Sequence, residues 1–373
     1  PKAAERFALK QSQAFVDQME GFALELEDEL MNFSDVSYKS FVKSESEIIT
    51  LFYDKFADIP LLSRMDAVAE TFIDEIETLL NRDLPEEERI PLIEKFRKMY
   101  ETMDFYVLYN RFLKKEGYQT LPRRPLEKRK LRYEDVYPVL YLKYRLSRQA
   151  ERSNIKHLVI DEMQDYSRLQ YLIIRRMFSC KMTILGDRAQ TMADQQQDVL
   201  QFLPGIFGKD LRRIEMRKSY RNTVEIASYA ANLIGVTDLE LFERHGMPVL
   251  ERDVTDLEAA LREAVDTLFP EEKTYETAAV IVPDEKTAER AYLILREILA
   301  EKDFDCEKRL SWLNRDSSSF KKGLTVTTFY LAKGLEFDQV FSIFPKDEKR
   351  EMMMQAQYIA ATRALHELRV YHI

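Results

Sequence analysis

Residues 157–165 constrain this chain more than any other stretch, because an apolar run there leads directly into two adjacent carboxylates. A short continuous apolar run is typical of a strand that is buried on both faces of a parallel sheet. Asp161 and Glu162 then fall at the carboxyl end of the strand, where open α/β sheets hold their ligands. Asp161 offers the oxygen ligand that Mg²⁺ prefers, and Glu162 can polarise a water. Two solvated acids at a strand end are the simpler interpretation of this pair alone.

A second strand is predicted over residues 181–185, after a helix over 168–178 that Ser167 caps. Strand, helix and strand form a βαβ unit, in which both strand ends bring polar residues to the same edge. Asp187 and Gln190 follow the second strand and are therefore expected beside the two acids. A glutamine at this place can hydrogen-bond both a terminal phosphate and an attacking water.

The amino-terminal third is predicted to be helical and acidic. Apolar residues recur at helical spacing over 65–80 and 92–103, which predicts two amphipathic helices paired as an antiparallel hairpin. Residues 20–89 hold 19 acidic and 6 basic side chains, a charge of −13, so the rest of the chain carries +4. Residues 1–120 are therefore predicted as an acidic helical insertion that projects as an arm.

A basic run follows over residues 123–132, where a solvated linker and a contact with a phosphate backbone are both open. Residues 121–205 are predicted to be the later half of one parallel-sheet domain, with a linker at 204–209. Residues 206–373 alternate strands and helices and are predicted to form a second such domain. The predicted strands are 211–216, 278–282, 324–328, 340–344 and 368–371. The predicted helices are 223–234, 255–268, 285–301 and 355–365.

Composition excludes several classes of protein. Cys180 and Cys306 are the only cysteines and are far apart, which gives no disulfide framework or zinc spacing and suits a reducing cytoplasm. No apolar run is long enough to cross a membrane, so no membrane partner is expected. The net charge of −9 argues against a protein that coats DNA without specificity.

Three further motifs carry candidate chemistry in the second predicted domain. Tyr220 and Arg221 follow its first predicted strand, and residues 333–338 read Lys-Gly-Leu-Glu-Phe-Asp. Arg363 is a single arginine on a predicted helix that is otherwise small and apolar. Such an arginine is usually a surface ion pair, but here its planar fork could reach a γ-phosphate.

Together these motifs resemble those of the UvrD/Rep-like superfamily-1 helicases. In the order of that family's motifs, the matches are residues 161–165, 186–190, 220–221, 333–338 and 362–364. The resemblance implies an α/β fold with two RecA-like parallel-sheet domains, one partial and one complete, and an α-helical insertion. It also implies that ATP binds with Mg²⁺ in the cleft between the domains.

The resemblance also implies roles for single residues. The implied catalytic residues are Asp161, Glu162, Gln190, Arg221 and Arg363. Asp161 would bind Mg²⁺ and Glu162 the hydrolytic water, while Gln190 would sense the γ-phosphate. Arg221 and Arg363 would act as arginine fingers supplied in cis. The implied nucleotide-binding residues are Asp187, Tyr220, Gly334 and Glu336. Among these, Tyr220 would stack on the adenine and Glu336 would bond the ribose.

A narrower resemblance is to the HelD branch, bacterial motors that bind RNA polymerase and recycle it. It rests on residues 165–167, 244–248 and 364–366, and on the helical segment before the Asp161 strand. It implies RNA polymerase as a partner, DNA as a second partner, and a location in the bacterial cytoplasm.

Three departures from the family pattern limit the resemblance. The phosphate-binding loop Gly-x-x-x-x-Gly-Lys-Ser/Thr is absent, so the chain is expected to begin after that loop and to be inactive alone. Thr191 opens the stretch where an aromatic residue often stacks on DNA, and Phe329 stands where DNA helicases often carry histidine. A conventional helicase that moves along single-stranded DNA is one alternative, although a charge of −13 would repel phosphates. A non-catalytic module is another, although the intact acids and arginines argue against it.

Overall fold

The computed structural model of the protein describes residues 3–148, 154–187, 190, 199–216, 218–236, 240–302, 304–317, 322–346 and 351–373. The chain divides into two units. The first unit comprises Pro1–Gly186 and Gln197–Leu211, and the second comprises Asp187–Gln196 and Arg212–Ile373.

The first unit begins with helices, as expected for its amino-terminal third, and with one short antiparallel β-hairpin that the sequence did not predict. The helices are α1 (Ala3–Gln11), α2 (Gln13–Glu29), α3 (Glu45–Thr50), α4 (Arg64–Leu80), α5 (Glu86–Arg97) and α6 (Phe105–Lys115). The hairpin pairs β1 (Val36–Tyr38) with β2 (Phe41–Lys43). Arg89 contacts Glu77, and Arg97 contacts Asp66 at 2.7 Å, so α4 and α5 run antiparallel. The predicted helical hairpin is confirmed.

The acidic helices share one hydrophobic core with the helices that follow them. That core extends from Phe15 to Ile173 and includes residues of α7 (Tyr133–Leu146) and α8 (Arg168–Met177). The segment predicted as an arm is therefore packed against the rest of its unit instead of projecting from it. The physical reason is that α1, α2 and α6 of this segment pack against α7, while α4 and α5 cover each other.

The βαβ unit predicted around the two acids is confirmed. Strands β3 (His157–Ile160) and β4 (Lys181–Ile184) pair in parallel, and α8 connects them. Ser167 caps α8 in a capping box with Gln170. The prediction that β3 is buried on both faces is wrong, since Val159 is 61% exposed. Among the described residues β4 is the neighbour of β3, and this two-stranded sheet leaves part of its surface uncovered.

The predicted linker at residues 204–209 is also wrong. Residues Val199–Phe207 form helix α9, and Gly208–Asp210 form a 3₁₀ turn. Phe202 and Leu203 pack with Ile160 and Tyr171 in a small core beneath the βαβ unit. The two glycines and the proline suggested a loop, but the apolar side chains between them favour a packed helix.

The second unit is built on a six-stranded sheet of its described residues, and every strand pair in it is parallel. The order is β7 (Leu250–Asp253), β12 (Ala364–His372), β11 (Phe337–Phe344), β8 (Thr277–Val282), β10 (Gly323–Thr328) and β9 (Leu310–Trp312). A separate short pair joins β5 (Lys218–Ser219) to β6 (Glu240–Leu241). The helices are α10 (Val224–Leu233), α11 (Leu257–Asp266), α12 (Glu285–Ala300), α13 (Cys306–Arg309) and α14 (Glu351–Ala361).

Helices cover both faces of this sheet. Ala278, Val280 and Val282 of β8 pack with α11 and α12, while Ala279 and Ile281 pack with α10 and α14. Alternate residues of one strand thus enter two cores, as expected for a strand inside a doubly covered sheet. The predicted α/β class with an α-helical segment is confirmed.

One predicted strand of the second unit is absent. Residues 211–216 have no regular structure, and Ile214 and Met216 are 72% and 86% exposed. No neighbouring strand among the described residues pairs with this stretch. Two strands that the sequence did not predict, β7 and β9, form the two edges of the large sheet. On β9, Trp312 stacks against Tyr292 of α12, with ring centroids 6.0 Å apart.

Two simpler expectations concern the cysteines and the membrane. Cys180 and Cys306 are both free thiols. No helix in the described ranges combines the length and the apolar character that crossing a membrane requires.

Candidate functional site

The carboxylate edge, residues Asp161 to Asp165, is built where β3 and β4 end side by side. Leu185 N donates to Ile160 O at 2.7 Å, and Met163 N donates to Leu185 O at 2.8 Å. A Cβ atom on Gly186 would lie 2.4 Å from Met163 Cγ and 2.6 Å from Met163 N. Glycine is required here because the end of β4 touches the chain that carries the acids.

Glu162 has an uncommon backbone conformation. Its φ of 52° lies in the left-handed region, which side chains other than glycine rarely adopt. Its N–H donates to Asp161 Oδ1 at 2.8 Å, and its Oε2 accepts from Gln164 Nε2 at 2.6 Å. Gln164 is 2% exposed, so the amide that holds Glu162 is itself fixed by packing. Strain of this kind persists where surrounding contacts enforce it, and functional sites are one such place.

The chemistry of the carboxylate edge suits Mg²⁺ without forming a complete metal cage. Asp161 is exposed and offers carboxylate oxygens. The described ranges contain no group of three or more histidine, cysteine, aspartate or glutamate side chains that could hold a metal ion. Mg²⁺ commonly takes one or two protein carboxylates and completes its shell with water and substrate phosphates, so a single carboxylate is compatible with it.

The arginine turn, Thr362–Arg363, connects α14 to β12 in the second unit. Arg363 was predicted on a helix, but α14 ends at Ala361 and the arginine occupies the turn that follows. Its residue exposure is 1%, which excludes the surface ion pair considered from the sequence. The guanidinium donates to Ile359 O at 3.2 Å, Leu335 O at 3.5 Å and Gln190 Oε1 at 3.3 Å. The turn therefore supplies a fixed positive charge inside the second unit.

Hydrogen bonds from Asn222 and Phe337 to backbone carbonyls hold the arginine turn. Asn222 Nδ2 donates to Ala364 O at 2.6 Å and to Thr362 O at 3.3 Å. Phe337 N donates to Arg363 O at 2.9 Å. Asn222 is 8% exposed and was not predicted as a site residue. Its position directly after Tyr220 and Arg221 was the one available signal.

Asp187 and Gln190 group with the second unit and meet α14 there. Gln190 Nε2 donates to Asp187 Oδ2 at 2.9 Å, and Tyr358 OH donates to the same oxygen at 3.1 Å. Burial raises the pKa of Tyr358, and the negative charge of Asp187 raises it further. Gln190 thus links Asp187 to Arg363, so one polar chain joins the third and sixth motifs.

Arg221 and Glu336 form an ion pair with each other, with Nη2 and Oε1 2.8 Å apart. Both side chains are close to half exposed. Arg244 supports this region, since its Nη2 donates to Arg221 O and, at 2.8 Å, to Leu365 O. The second predicted finger and the predicted ribose contact are therefore neighbours, and both are accessible to a ligand.

Tyr220 belongs to an exposed aromatic pair. It is 63% exposed, and its ring centroid lies 5.5 Å from that of Phe242. Lys218 Nζ lies 5.5 Å from the Tyr220 centroid. Gly334 has φ +81°, and nothing lies within 4 Å of the Cβ position there, so the glycine serves the turn and leaves open space.

The last residue of the fifth motif has a structural role. Burial alone would raise the pKa of Asp338, but hydrogen bonds from Glu276 N, Thr277 N and Thr277 Oγ1 outweigh it and lower the pKa. Each of these bonds is 2.9 Å long. Phe329 is 5% exposed in the core of the second unit, and Thr191 lies outside the described residues.

Comparisons with solved structures found several helicases. The C-terminal domain of a possible DNA helicase from Lactobacillus plantarum WCFS1 is 23% identical, with a TM-score of 0.32 over 42% of this chain and 88% of that one. The helicase of PRRSV is 14% identical, with a TM-score of 0.32 over 72% of this chain and 45% of that one. Arterivirus nonstructural protein 10, a helicase, is 13% identical, with a TM-score of 0.29 over 72% and 50%. The chain thus spans about half the length of each viral helicase.

Comparison with curated protein sequences gave no match. A family model did match: the UvrD/REP helicase N-terminal domain aligns with residues 5–192, about half of the chain. The matched range covers the acidic helices, the carboxylate edge and Gln190. The chain therefore belongs to the UvrD/REP helicase family, within superfamily 1.

Proposed function

We propose that this chain is part of an ATP-driven motor of HelD type that binds RNA polymerase and remodels transcription complexes. The observation that carries the ATPase part is the buried guanidinium of Arg363, hydrogen-bonded to Gln190 Oε1 at 3.3 Å. Burial of an arginine costs free energy, because several hydrogen bonds must offset the desolvation of its charge. A fixed cation beside a polar glutamine suits the developing charge of a γ-phosphoryl group.

The side chains divide the proposed chemistry between them. Asp161 would hold Mg²⁺, which neutralises phosphate charge when it is bound. Glu162 would orient and polarise the attacking water, and Gln190 would report the γ-phosphate. Arg221 and Arg363 would stabilise the transition state. Arg221 would have to leave Glu336 to do so, a change that costs little because exposed ion pairs contribute about 0.2–1 kcal/mol.

The nucleotide contacts are proposed on the same grounds. Tyr220 presents an exposed ring for the adenine, and Glu336 an accessible carboxylate for the ribose. Gly334 leaves room for a ligand, and Asp187 orients Gln190. We also propose the domain roles that the sequence suggests: residues 1–120 as insertion, 121–205 as the later half of the first RecA-like domain, and 206–373 as the second.

The partner is proposed from the acidic surface of the first unit. Asp83, Glu86 and Glu87 are exposed near the start of α5, whereas Glu88 is partly covered and binds Lys39 at 3.1 Å. A surface of this charge fits a basic channel that otherwise holds nucleic acid. Complementary charge mainly raises the association rate, and salt screens the effect.

Charge reversal tests this partner in the full-length protein that carries the chain. Replacing Asp83, Glu86 and Glu87 with lysine should slow association with core RNA polymerase at low salt and leave ATP turnover unchanged. The matched control reverses three exposed acids of the second unit that are distant from the cavity residues in sequence, Glu289, Glu297 and Glu307. Equal association rates for the original and both variants would remove RNA polymerase from the proposal.

A conventional helicase that moves along single-stranded DNA is the second candidate. One observation favours it: most of the basic run at residues 123–132 is exposed, and Arg129, its half-buried member, pairs with Asp104. Such a surface can contact a phosphate backbone. Tighter binding to bare DNA than to polymerase would favour this candidate. On either reading the chain alone is expected to turn ATP over far below the ~10 s⁻¹ usual for enzymes, because its sequence contains no phosphate-binding loop.

A further inference from the structure

A cavity of about 340 Å³ lies in the second unit, apart from the residues assigned to ATP above. Its lining includes Arg244, His245, Met247, Lys273, Tyr275 and His366, and contains no acidic side chain. A volume of this size is at the lower end of what small-molecule sites occupy. It exceeds a single phosphate and could hold a sugar or a ring as well.

Two cations of the lining have no carboxylate to neutralise them. Neither Arg244 nor Lys273 has an ion-pair partner within the described part of the chain. Arg244 Nε is also buried and makes no hydrogen bond, although its Nη2 donates to two backbone carbonyls. A buried N–H without an acceptor costs roughly 1–3 kcal/mol, and an anion in the cavity would offset that cost.

The two carboxylates beside the histidines of the lining, those of Glu225 and Asp338, already have hydrogen-bond partners. Glu225 Oε1 lies 2.9 Å from His245 Nδ1, and its Oε2 accepts from Gly246 N at 2.8 Å. The hydrogen bond from His245 is the main reason that the pKa of Glu225 falls to about 2. Asp338 accepts the three hydrogen bonds described above and lies 3.8 Å from His366 Nε2. Both acids therefore contact histidines and are not part of the lining, which does include the arginine and the lysine.

One wall of the cavity is flat and aromatic. The rings of Tyr275 and His366 stack with centroids 5.6 Å apart and an angle of 10° between their planes. Aromatic surfaces beside cations recur where proteins bind nucleotides in single strands. We propose that this cavity binds one nucleotide unit, with its phosphate on Arg244 and Lys273 and its flat part near the Tyr275–His366 pair.

The same chemistry could come from a free nucleotide or from one unit of a strand, so the test uses both. Thymidine 5′-monophosphate and a five-nucleotide oligothymidylate are titrated into the full chain in the absence of ATP. Because no hydrolysis is measured, the result is independent of the ATPase proposal. Lys273→Glu is the test variant, since Lys273 is exposed and its removal spares the hydrogen bonds of Arg244. Lys286→Glu is the control, because Lys286 is an exposed lysine of α12 outside the cavity.

The original chain and Lys286→Glu should bind equally, and Lys273→Glu should bind at least about tenfold more weakly, as expected for loss of one charged contact. For the oligonucleotide, Lys273→Ala should also lower the slope of log affinity against log salt by about 1. Binding of the oligonucleotide alone assigns the site to a strand, and binding of the monophosphate as well assigns it to a nucleotide in either form. Equal losses in the two charge-reversal variants, or no binding of either probe, would overturn the proposal.

Discussion

The carboxylate edge of the first unit and the arginine turn of the second place their charged side chains in opposite surroundings. Asp161 is exposed and Glu162 is half-buried, whereas Arg363 is 1% exposed. The hydrogen bonds to Glu162 described above are local, since its partners Asp161 and Gln164 lie one and two positions away. The contacts at the arginine turn are distant in sequence, since Asn222 reaches Ala364 across 142 positions.

This difference indicates how strongly a mutation at the carboxylate edge or at the arginine turn should change stability together with ATP turnover. Asp161 or Glu162 can change its chemistry with little effect on packing, because solvent reaches both side chains. A side chain at the arginine turn belongs to the folded framework of its unit, because buried carbonyls depend on it. We therefore expect mutations at the two places to separate on a plot of turnover against stability.

The largest effect on ATP turnover is expected for Arg363→Ala in the motor that we propose contains this chain. Loss of an arginine finger should lower kcat by roughly 10³ or more. Unlike loss of an exposed arginine, this substitution should also lower the free energy of unfolding by about 1–3 kcal/mol, since Leu335 O and Gln190 Oε1 each lose a donor and Ile359 O keeps only Thr362 Oγ1. Steady-state ATPase rates and urea denaturation measure the two quantities. Arg262→Ala, which removes a half-exposed arginine of α11, is the control and should change neither appreciably.

A stable Arg363→Ala protein with full turnover would contradict the finger role. Arg363→Lys refines the test, because lysine keeps the charge but cannot reproduce the planar fork. If it restores stability without turnover, the geometry of the guanidinium is what catalysis needs.

The second-largest effect on ATP turnover is expected for Glu162→Gln. Glutamine can still accept the hydrogen bond from Gln164, so stability should change by less than about 0.5 kcal/mol. Hydrolysis should fall by at least about 10², as is typical when a general base is lost. ATP affinity should be retained, which equilibrium binding of a fluorescent ATP analogue can measure.

Loss of ATP binding in Glu162→Gln would instead mean that Glu162 is structural. Glu162→Gly gives an independent measure of strain, because glycine adopts φ near 52° without penalty. It should unfold no more easily than the original protein while losing hydrolysis. A clear drop in its stability would indicate that the side chain holds the carboxylate edge together.

The smallest effect on ATP turnover is expected for Asn222→Ala. Its two hydrogen bonds to the arginine turn disappear, which should lower stability by about 1–3 kcal/mol. Turnover should fall by only about tenfold, because Arg363 keeps its other contacts. Asn232→Ala, on the exposed surface of α10, is the matched control. A loss of turnover as large as that of Arg363→Ala would mean that Asn222 contributes more than positioning.

The sequence predicted the centre of the large sheet and missed its edges. Strand β8 reads Thr-Ala-Ala-Val-Ile-Val, an almost continuous apolar run that indicates burial inside a parallel sheet. Strands β10, β11 and β12 mix apolar and polar residues but keep enough β-branched and aromatic side chains to be recognised as strands. Edge strand β7 reads Leu-Glu-Arg-Asp and exposes its charged residues, as edge strands commonly do. The wrongly predicted strand at 211–216 has a similar mixture, so local pattern could not separate the two. The difference lies in whether a neighbouring strand is available for pairing.

The motifs identified the candidate site residues, but not how those residues are held. The sequence indicated that Arg363 could reach a phosphate, yet placed it on a helix and left a surface ion pair open. Its burial depends on Asn222, Leu335 and Phe337, which are distant in sequence. The left-handed backbone of Glu162 could not be predicted either, because non-glycine residues rarely adopt positive φ and nothing in the local sequence marks this one. For Arg363, long-range packing decided the burial.

Trp312 gives this protein a built-in spectroscopic probe. It is the single tryptophan of the chain, and it lies on β9 of the second unit, against Tyr292. Selective excitation of tryptophan therefore follows the unfolding of the second unit, whereas far-ultraviolet circular dichroism sums the helices of both. Coincident transitions would indicate that the two units unfold as one cooperative system, and separated transitions that each has its own stability. When a variant above is made in this chain, the two measurements can thus assign it to the unit that it weakens without an attached label.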